Sequence, residues 1–258
     1  MITICAIILI PTISTKMNSV SLPKNVSVDE ITFSKAKPNK YGGKSVYINY
    51  KGKPLTLQTP YMSTPFGLSE FVNQETGQSK YSLDFSFRNM DESRSVEHFF
   101  DFLEKFDKRL VKTAAENCVP WFSNKDYNNE DILSALFSNQ IRYSTDRETG
   151  ELNHKYAPTF KLKIPFYNDK FNVEVYDSNN KPVHDDLVSV LPKNTMARAL
   201  MTCTGVWFAG GKFGVSWRLV HLQVQKKVSM DDYSFIQDSD AEDEPEVDVG
   251  EQFYGIKS

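Results

Sequence analysis

The chain has 258 residues, 40% hydrophobic and 13% aromatic, with a formal net charge of −3. That is enough apolar material for a packed core, which argues against wholesale disorder, and the length suits one large domain or one domain with insertions. Cysteines at 5, 118 and 203, with no CxxC, HExxH, GxxxxGK[ST] or GxGxxG, argue against a disulfide framework, a zinc knuckle and the common phosphate loops, and favour a reducing compartment.

The opening "MITICAIILIPTISTKMNSV" has an apolar run, Ile2–Ile10, too short to span a bilayer. It lacks a basic n-region and a convincing cleavage site. Met17 begins a polar segment that looks like an ordinary start, so residues 1–28 are read as a disordered or spurious extension rather than a secretion signal. The folded domain is placed at 29–228.

From Lys44 the pattern has period two. In "SVYINY", Val46, Ile48 and Tyr50 share a face, "KGKP" supplies a turn, and "LTLQT" returns as the second arm of a hairpin. "PYMSTPFGLSEF" is a Pro/Gly-punctuated loop carrying Tyr61. "KYSLDFSF" alternates Tyr81, Leu83, Phe85 and Phe87 against Ser82, Asp84 and Ser86.

The period then becomes helical over an insertion at about 93–142. Val96, Phe99, Phe100, Leu103, Phe106 and Leu110 form one stripe, with Ser95 as N-cap. "NNEDILSALFSNQI" gives a shorter helix capped by Asn128, with Ile132, Leu133, Leu136 and Phe137 on its buried side. The link between them carries Trp121 and Phe122.

Strands resume with "TFKLKIPF" and "FNVEVYD", in which Phe171, Val173 and Val175 share a side. "MARALMTCTGVWF" and "KFGVSWRLVHLQVQ" then read as two long strands joined by Ala209-Gly210-Gly211-Lys212. Strands, a helical insertion, then strands fit a mainly β fold, a small antiparallel barrel with inserted helices. Residues 229–258 hold ten Asp/Glu and one Lys, net −9, against net +6 for the rest of the chain. Such acidic termini are usually disordered interaction segments.

Catalytic signatures are weak. Ser216 lacks a GxSxG setting, and the acidic pairs Asp185-Asp186 and Asp231-Asp232 read as solvated charges rather than metal ligands. The Gly-Gly-Lys turn is followed by a strand, whereas phosphate capture uses a helix N-terminus. No enzyme, cofactor or metal is expected.

Binding fits better. Single-stranded nucleic acid is held by a basic groove with exposed rings on which bases stack, each worth about 1–3 kcal/mol. Candidate cations are Lys161 and Lys163 on the polar face of their strand, Arg198, Lys212, Arg218, Arg142 beside Tyr143, and Lys51 and Lys53 at the first hairpin tip. Candidate rings are Tyr61, Trp121, Phe122, Trp207, Phe208, Phe213 and Trp217. Alternating strand aromatics more often fill cores, and that reading stays open for the last four. Trp207 and Phe208 are adjacent and must point to opposite faces unless the strand bulges.

The succession "YAPTFKLKIPF", "FNVEVYD", "LPKNTMARALMTCTGVWFAGGKFGVSWRLVHLQV" and an acidic tail resembles the single-stranded DNA-binding proteins of large nucleocytoplasmic DNA viruses of algae and protists. These are related to the replication single-stranded DNA-binding protein of T-odd podophages. The resemblance covers roughly Lys44–Lys227 and the tail. It implies a five-stranded OB-fold-like antiparallel barrel that binds single-stranded DNA in viral replication, recombination or repair. It also implies a tail that contacts replication proteins (polymerase, helicase-primase) and competes with DNA. That role would fall to Asp238, Asp240, Glu242, Asp243, Glu244, Glu246 and Asp248, with Phe253 and Tyr254. Here four residues follow Tyr254, whereas the phage branch ends in an aromatic residue.

The expected setting is the host nucleus or a cytoplasmic viral factory, with no membrane, no secretion, and a homodimer left open. Two other readings are a virion or structural β-protein whose aromatics pack on a partner, and an RNA-binding OB module.

Overall fold

A computed structural model describes residues 20–39 and 43–225. The fold is mainly β with a few helices. The strands used below are β1 (Ile31–Phe33), β2 (Lys44–Val46), β3 (Ile48–Tyr50), β4 (Thr56–Gln58), β5 (Met62–Thr64), β6 (Leu68–Val72) and β7 (Ser79–Ser86). Helices α1 (Arg94–Glu116), α2 (Cys118–Phe122) and α3 (Glu130–Leu136) follow. Then come β8 (Phe137–Ser138), β9 (Ile141–Arg142), β10 (Thr159–Ile164), β11 (Glu174–Tyr176), β12 (Thr195–Ala209) and β13 (Lys212–Val224).

The long hairpin β12–β13 organises the molecule. Ala209 pairs with Lys212, leaving Gly210 and Gly211 as a two-residue loop with φ of 57° and 74°. Positive φ at both positions is what a tight hairpin with right-handed strand twist requires, so these glycines serve the turn. Thr195, Ala197, Ala199, Met201 and Cys203 on β12 face Trp217, Leu219, Leu222 and Val224 on β13 across the buried side.

Pairing then passes from β12 to β5, β7, β10, β13 and back to β12. Two joints in this circuit are single residue pairs, Ser63–Ser86 between β5 and β7 and Lys163–Arg218 between β10 and β13. The expectation of five antiparallel strands needs correction. Among the described residues the main sheet takes in fourteen strands, and β10, β11 and β8 all pair with β13 in parallel.

The first hairpin also differs. Val46, Ile48 and Tyr50 are all buried, as their alternation requires. The chain nevertheless splits its loyalties: β2 and β4 pair with β12, while β3 pairs with β1 and with Lys53–Pro54 in a separate small sheet. One long strand offering a free edge outcompetes the local return.

Helix α1 lays Val96, Phe99, Phe102, Leu103, Phe106 and Leu110 into the core. Phe99 packs edge-on against Phe160 at 5.3 Å between ring centres, and Phe106 against Trp217 at 6.2 Å. Its N-cap is Ser93, which is extended, so Ser95 lies within the helix. Trp121 and Phe122, expected in a link, sit on the short helix α2. The cap of α3 is Asn129, whose Oδ1 accepts the Asp131 N–H at 2.7 Å, not Asn128. Only Leu133 of α3 is buried, Ile132 is exposed, and Phe137 is buried from a strand beside Phe213. None of the described helices is long and apolar enough to cross a membrane.

Candidate nucleic-acid interface

The tip of β12–β13 separates its four aromatics. β12 shifts register between Cys203 and Gly205. Gly205 holds φ +114°, and a Cβ there would lie 2.4 Å from the Val46 carbonyl oxygen. Past this irregularity Val206 and Phe208 turn toward the interior and Trp207 toward the outside. Opposite Trp207 stands Gly214, where an added Cβ would come within 2.8 Å of the indole Cζ2. The indole therefore lies flat over a strand position that only glycine leaves open.

Trp207 is half-buried and borders a cleft of about 150 Å³ lined also by Arg142, Lys161, Lys163, Ser216 and Gln140. Lys163 Nζ donates to Ser216 Oγ at 2.9 Å. Desolvation of that ammonium, with the charges of Lys80 and Arg142, holds its pKa below the usual lysine range. Lys161 Nζ lies 3.6 Å from Asp84 Oδ2. Burial pushes the Asp84 carboxyl up, while Lys161 and Arg142 pull it down. Arg218 is exposed on the neighbouring strand, paired in backbone register with Lys163. At the cleft the outer face thus sets the Trp207 ring among cations that repel one another, an arrangement suited to a polyanion with planar groups.

Several expected platforms are core residues instead. Trp217 is 2% exposed, packed against Phe106 and Phe160, and its Nε1–H donates to Gln140 Oε1. Phe213 is fully buried and Trp121 is 3% exposed. Phe208 and Phe122 are half-buried and pack on Trp121, Phe213 and each other, with centroid separations of 5.1–6.5 Å. Trp217 reaches the cleft floor but is held in the core by Phe106 and Phe160, and the other four are packed together where α2 docks on the inner side of the hairpin tip.

The cations also divide. Arg198 stacks its guanidinium 4.7 Å from the centre of the Tyr61 ring, and both donate to Gln223 Oε1, so the pair is committed to its own network at the far end of β12. Lys51 lies 5.0 Å above the Tyr50 ring and 3.6 Å from Glu30, in the small separate sheet. Lys53 belongs to the same sheet, away from the cleft residues. Lys212 is exposed at the hairpin turn, and Tyr143 is exposed next to Arg142, at the rim of a second cavity. The acidic-tail residues Asp238–Tyr254 lie outside the described residues.

That second cavity, about 310 Å³, has Glu104, Asp107 and Glu130 among its walls over Val111, Phe137 and Ile141. Burial raises the Asp107 pKa to about 7, although the backbone N–H and the side-chain amide of Gln140 both donate to it, at 3.1 and 2.5 Å. Gln140 thus ties Asp107 to Trp217 beneath the basic cleft. Lys80, Asp84, Gln140, Gly214 and Ser216 were missed by sequence reasoning. Strand parity could have found Lys80 and Asp84, which share the polar side of "KYSLDFSF"; nothing local marks Gln140.

Three comparisons bear on identity. A protein of Acanthamoeba polyphaga mimivirus, "Uncharacterized protein L291", is 24% identical over 181 residues, which is 68% of this chain; the match spans about a quarter, 26%, of that relative's length. Among solved structures, the single-stranded DNA-binding protein of bacteriophage Enc34 in complex with ssDNA matches with a TM-score of 0.42 at 9% identity, covering 77% of this chain and 97% of that one. The gp2.5 single-stranded DNA-binding protein of bacteriophage T7 matches with a TM-score of 0.39 at 13% identity, covering 67% and 87%. Residues 93–237 match the family described as "Family of unknown function (DUF5871)", and the chain belongs to that family.

Proposed function

We propose that this chain is a non-enzymatic single-stranded DNA-binding protein whose β circuit works as an OB-type barrel. The observation that carries the reading is Trp207, laid over Gly214 with one face toward a cleft walled by Arg142, Lys161 and Lys163. A stacked base satisfies the ring, and the phosphates that flank it satisfy the cations. Duplex hides its base faces, so a lone ring on a sheet discriminates for single strands.

Charge supports a regulatory part for the C-terminus. A segment of net −9 tethered to a body of net +6 is an intramolecular competitor for the same cations and a surface for basic replication partners. A role in viral DNA replication, recombination or repair, in a nucleus or viral factory, follows from the same reading.

The test is titration with dT12, followed by tryptophan fluorescence at several salt concentrations. Expected are quenching, weaker binding to duplex of equal length, and a loss of affinity of fivefold or more for Trp207→Ala and for Lys163→Ala. Equal affinity for duplex, or no binding of dT12, overturns the reading. Tighter binding of rU12 reassigns it to RNA.

A further inference from the structure

The cations of the cleft continue across the sheet to a second ring. On the edge strand β6, Phe71 is 64% exposed, and it stands directly opposite Lys80 on β7. Residues opposed in an antiparallel pair project to the same face. The other face of this pair is occupied: Tyr81 packs on Phe166 and Phe171 and donates to Glu70 Oε1 at 2.8 Å. Phe71 and Lys80 therefore share the outer side with Ser82, which stands opposite Lys163. The Lys80 charge is felt at Lys163.

A lone exposed phenylalanine is ordinary on a protein surface. Two features set this one apart. It stands beside a lysine in line with the cleft, and the outward positions of β6, β7 and β10 carry one carboxylate, Asp84, which is buried beside Lys161. An apolar ring on an edge strand is otherwise a liability for self-pairing. Charge complementarity selects a polyanion, and the ring selects one with unpaired bases.

We infer that Phe71 and Lys80 form a second subsite of the interface, in which Phe71 stacks a base and Lys80 contacts the adjoining phosphate of the strand already engaged at Trp207. The inference rests on the single-strand reading above. Phe71 and Trp207 stand on β6 and β12, four strand spacings apart through β7, β10 and β13, and the registers offset them by about six residues along the strands, so the two rings are roughly 28 Å apart over the surface. One oligonucleotide of moderate length covers both.

The experiment uses the full chain and dT12. Phe71→Ala weakens binding at least fivefold with an unchanged melting temperature, since the side chain is exposed. Phe71→Trp retains affinity, and the emission it adds is quenched by dT12. Lys80→Ala lowers the slope of log affinity against log salt by about 0.7, one phosphate contact to a single strand. Unchanged affinity in Phe71→Ala, or added emission in Phe71→Trp that is indifferent to dT12, overturns the subsite while Trp207→Ala still weakens binding and the single-strand reading stands. If the unmodified chain does not bind dT12, both fall.

Discussion

Trp207 and Trp217 sit on the two arms of one hairpin, yet one is a surface feature and the other a keystone of the core. Trp217 meets Phe106 and Phe160 and finds a partner for its N–H in Gln140. Trp207 meets a glycine and a row of cations. The residue type is the same; the difference lies in what the opposing strand and the helical segment bring up to it. A helix covers one side of the hairpin, and the other side is left to solvent and charge.

The largest expected effect tests that contrast directly. Trp217→Ala leaves a cavity and an orphaned amide acceptor, and should destabilise the fold by about 3–5 kcal/mol in denaturant unfolding. Trp207→Ala should cost well under half as much and act on DNA binding instead. Equal losses of stability would erase the distinction between the two rings.

Next in size is the support beneath Trp217. Asp107 has a pKa of about 7 in the fold, against roughly 4 in an unfolded chain. The folded state therefore binds the proton more tightly, and stability falls as pH rises from about 4 to about 7. The loss from this group is of the order of a few kcal/mol at most. Asp107→Asn should flatten the dependence of the unfolding midpoint on pH in that window. A slope unchanged by the substitution would mean that the fold does not hold the Asp107 proton.

The smallest effects concern the two glycines that orient Trp207. Gly205→Ala places a side chain at φ +114° against the Val46 carbonyl and should cost about 1–3 kcal/mol in thermal or denaturant unfolding. Gly214→Ala pushes on the indole rather than on backbone. It should change stability less than Gly205→Ala and weaken dT12 binding by displacing the ring. If Gly214→Ala alters neither binding nor tryptophan emission, the indole does not rest where its neighbours place it.

Much of this was legible in the chain. Strict alternation located β7, β10, β12 and β13, and a helical stripe located α1. The cation pair Lys161/Lys163 and the ring Trp207 were among the candidates, as was the possibility that a bulge would decide between Trp207 and Phe208. The rest was illegible for identifiable reasons. Phe213 and Trp217 are buried and Phe208 half-buried because α1 and α2 return to cover the hairpin, with Trp121 and Phe122 of α2 on the covering side, and no local pattern reports what a distant helix will cover. Arg198 and Tyr61 are tied to Gln223 by contacts spanning 25 and 162 residues. The parallel pairing of β10, β11 and β8 with β13 likewise joins segments whose order carries no mark of their direction.

By itself, then, the sequence determined a mainly β chain, a tight glycine turn joining its two longest strands, the helical stripe of α1 and the split between a basic body and an acidic end. These follow from periodicity, turn stereochemistry and summed charge, which are local or additive. Which aromatic faces outward, which lysines share a cleft and which residue stands opposite Phe71 were decided by register and by the docking of helices on one side of the sheet. A single residue of slip reverses every side chain on a strand, so facing is a property of the assembled sheet and not of any stretch of chain.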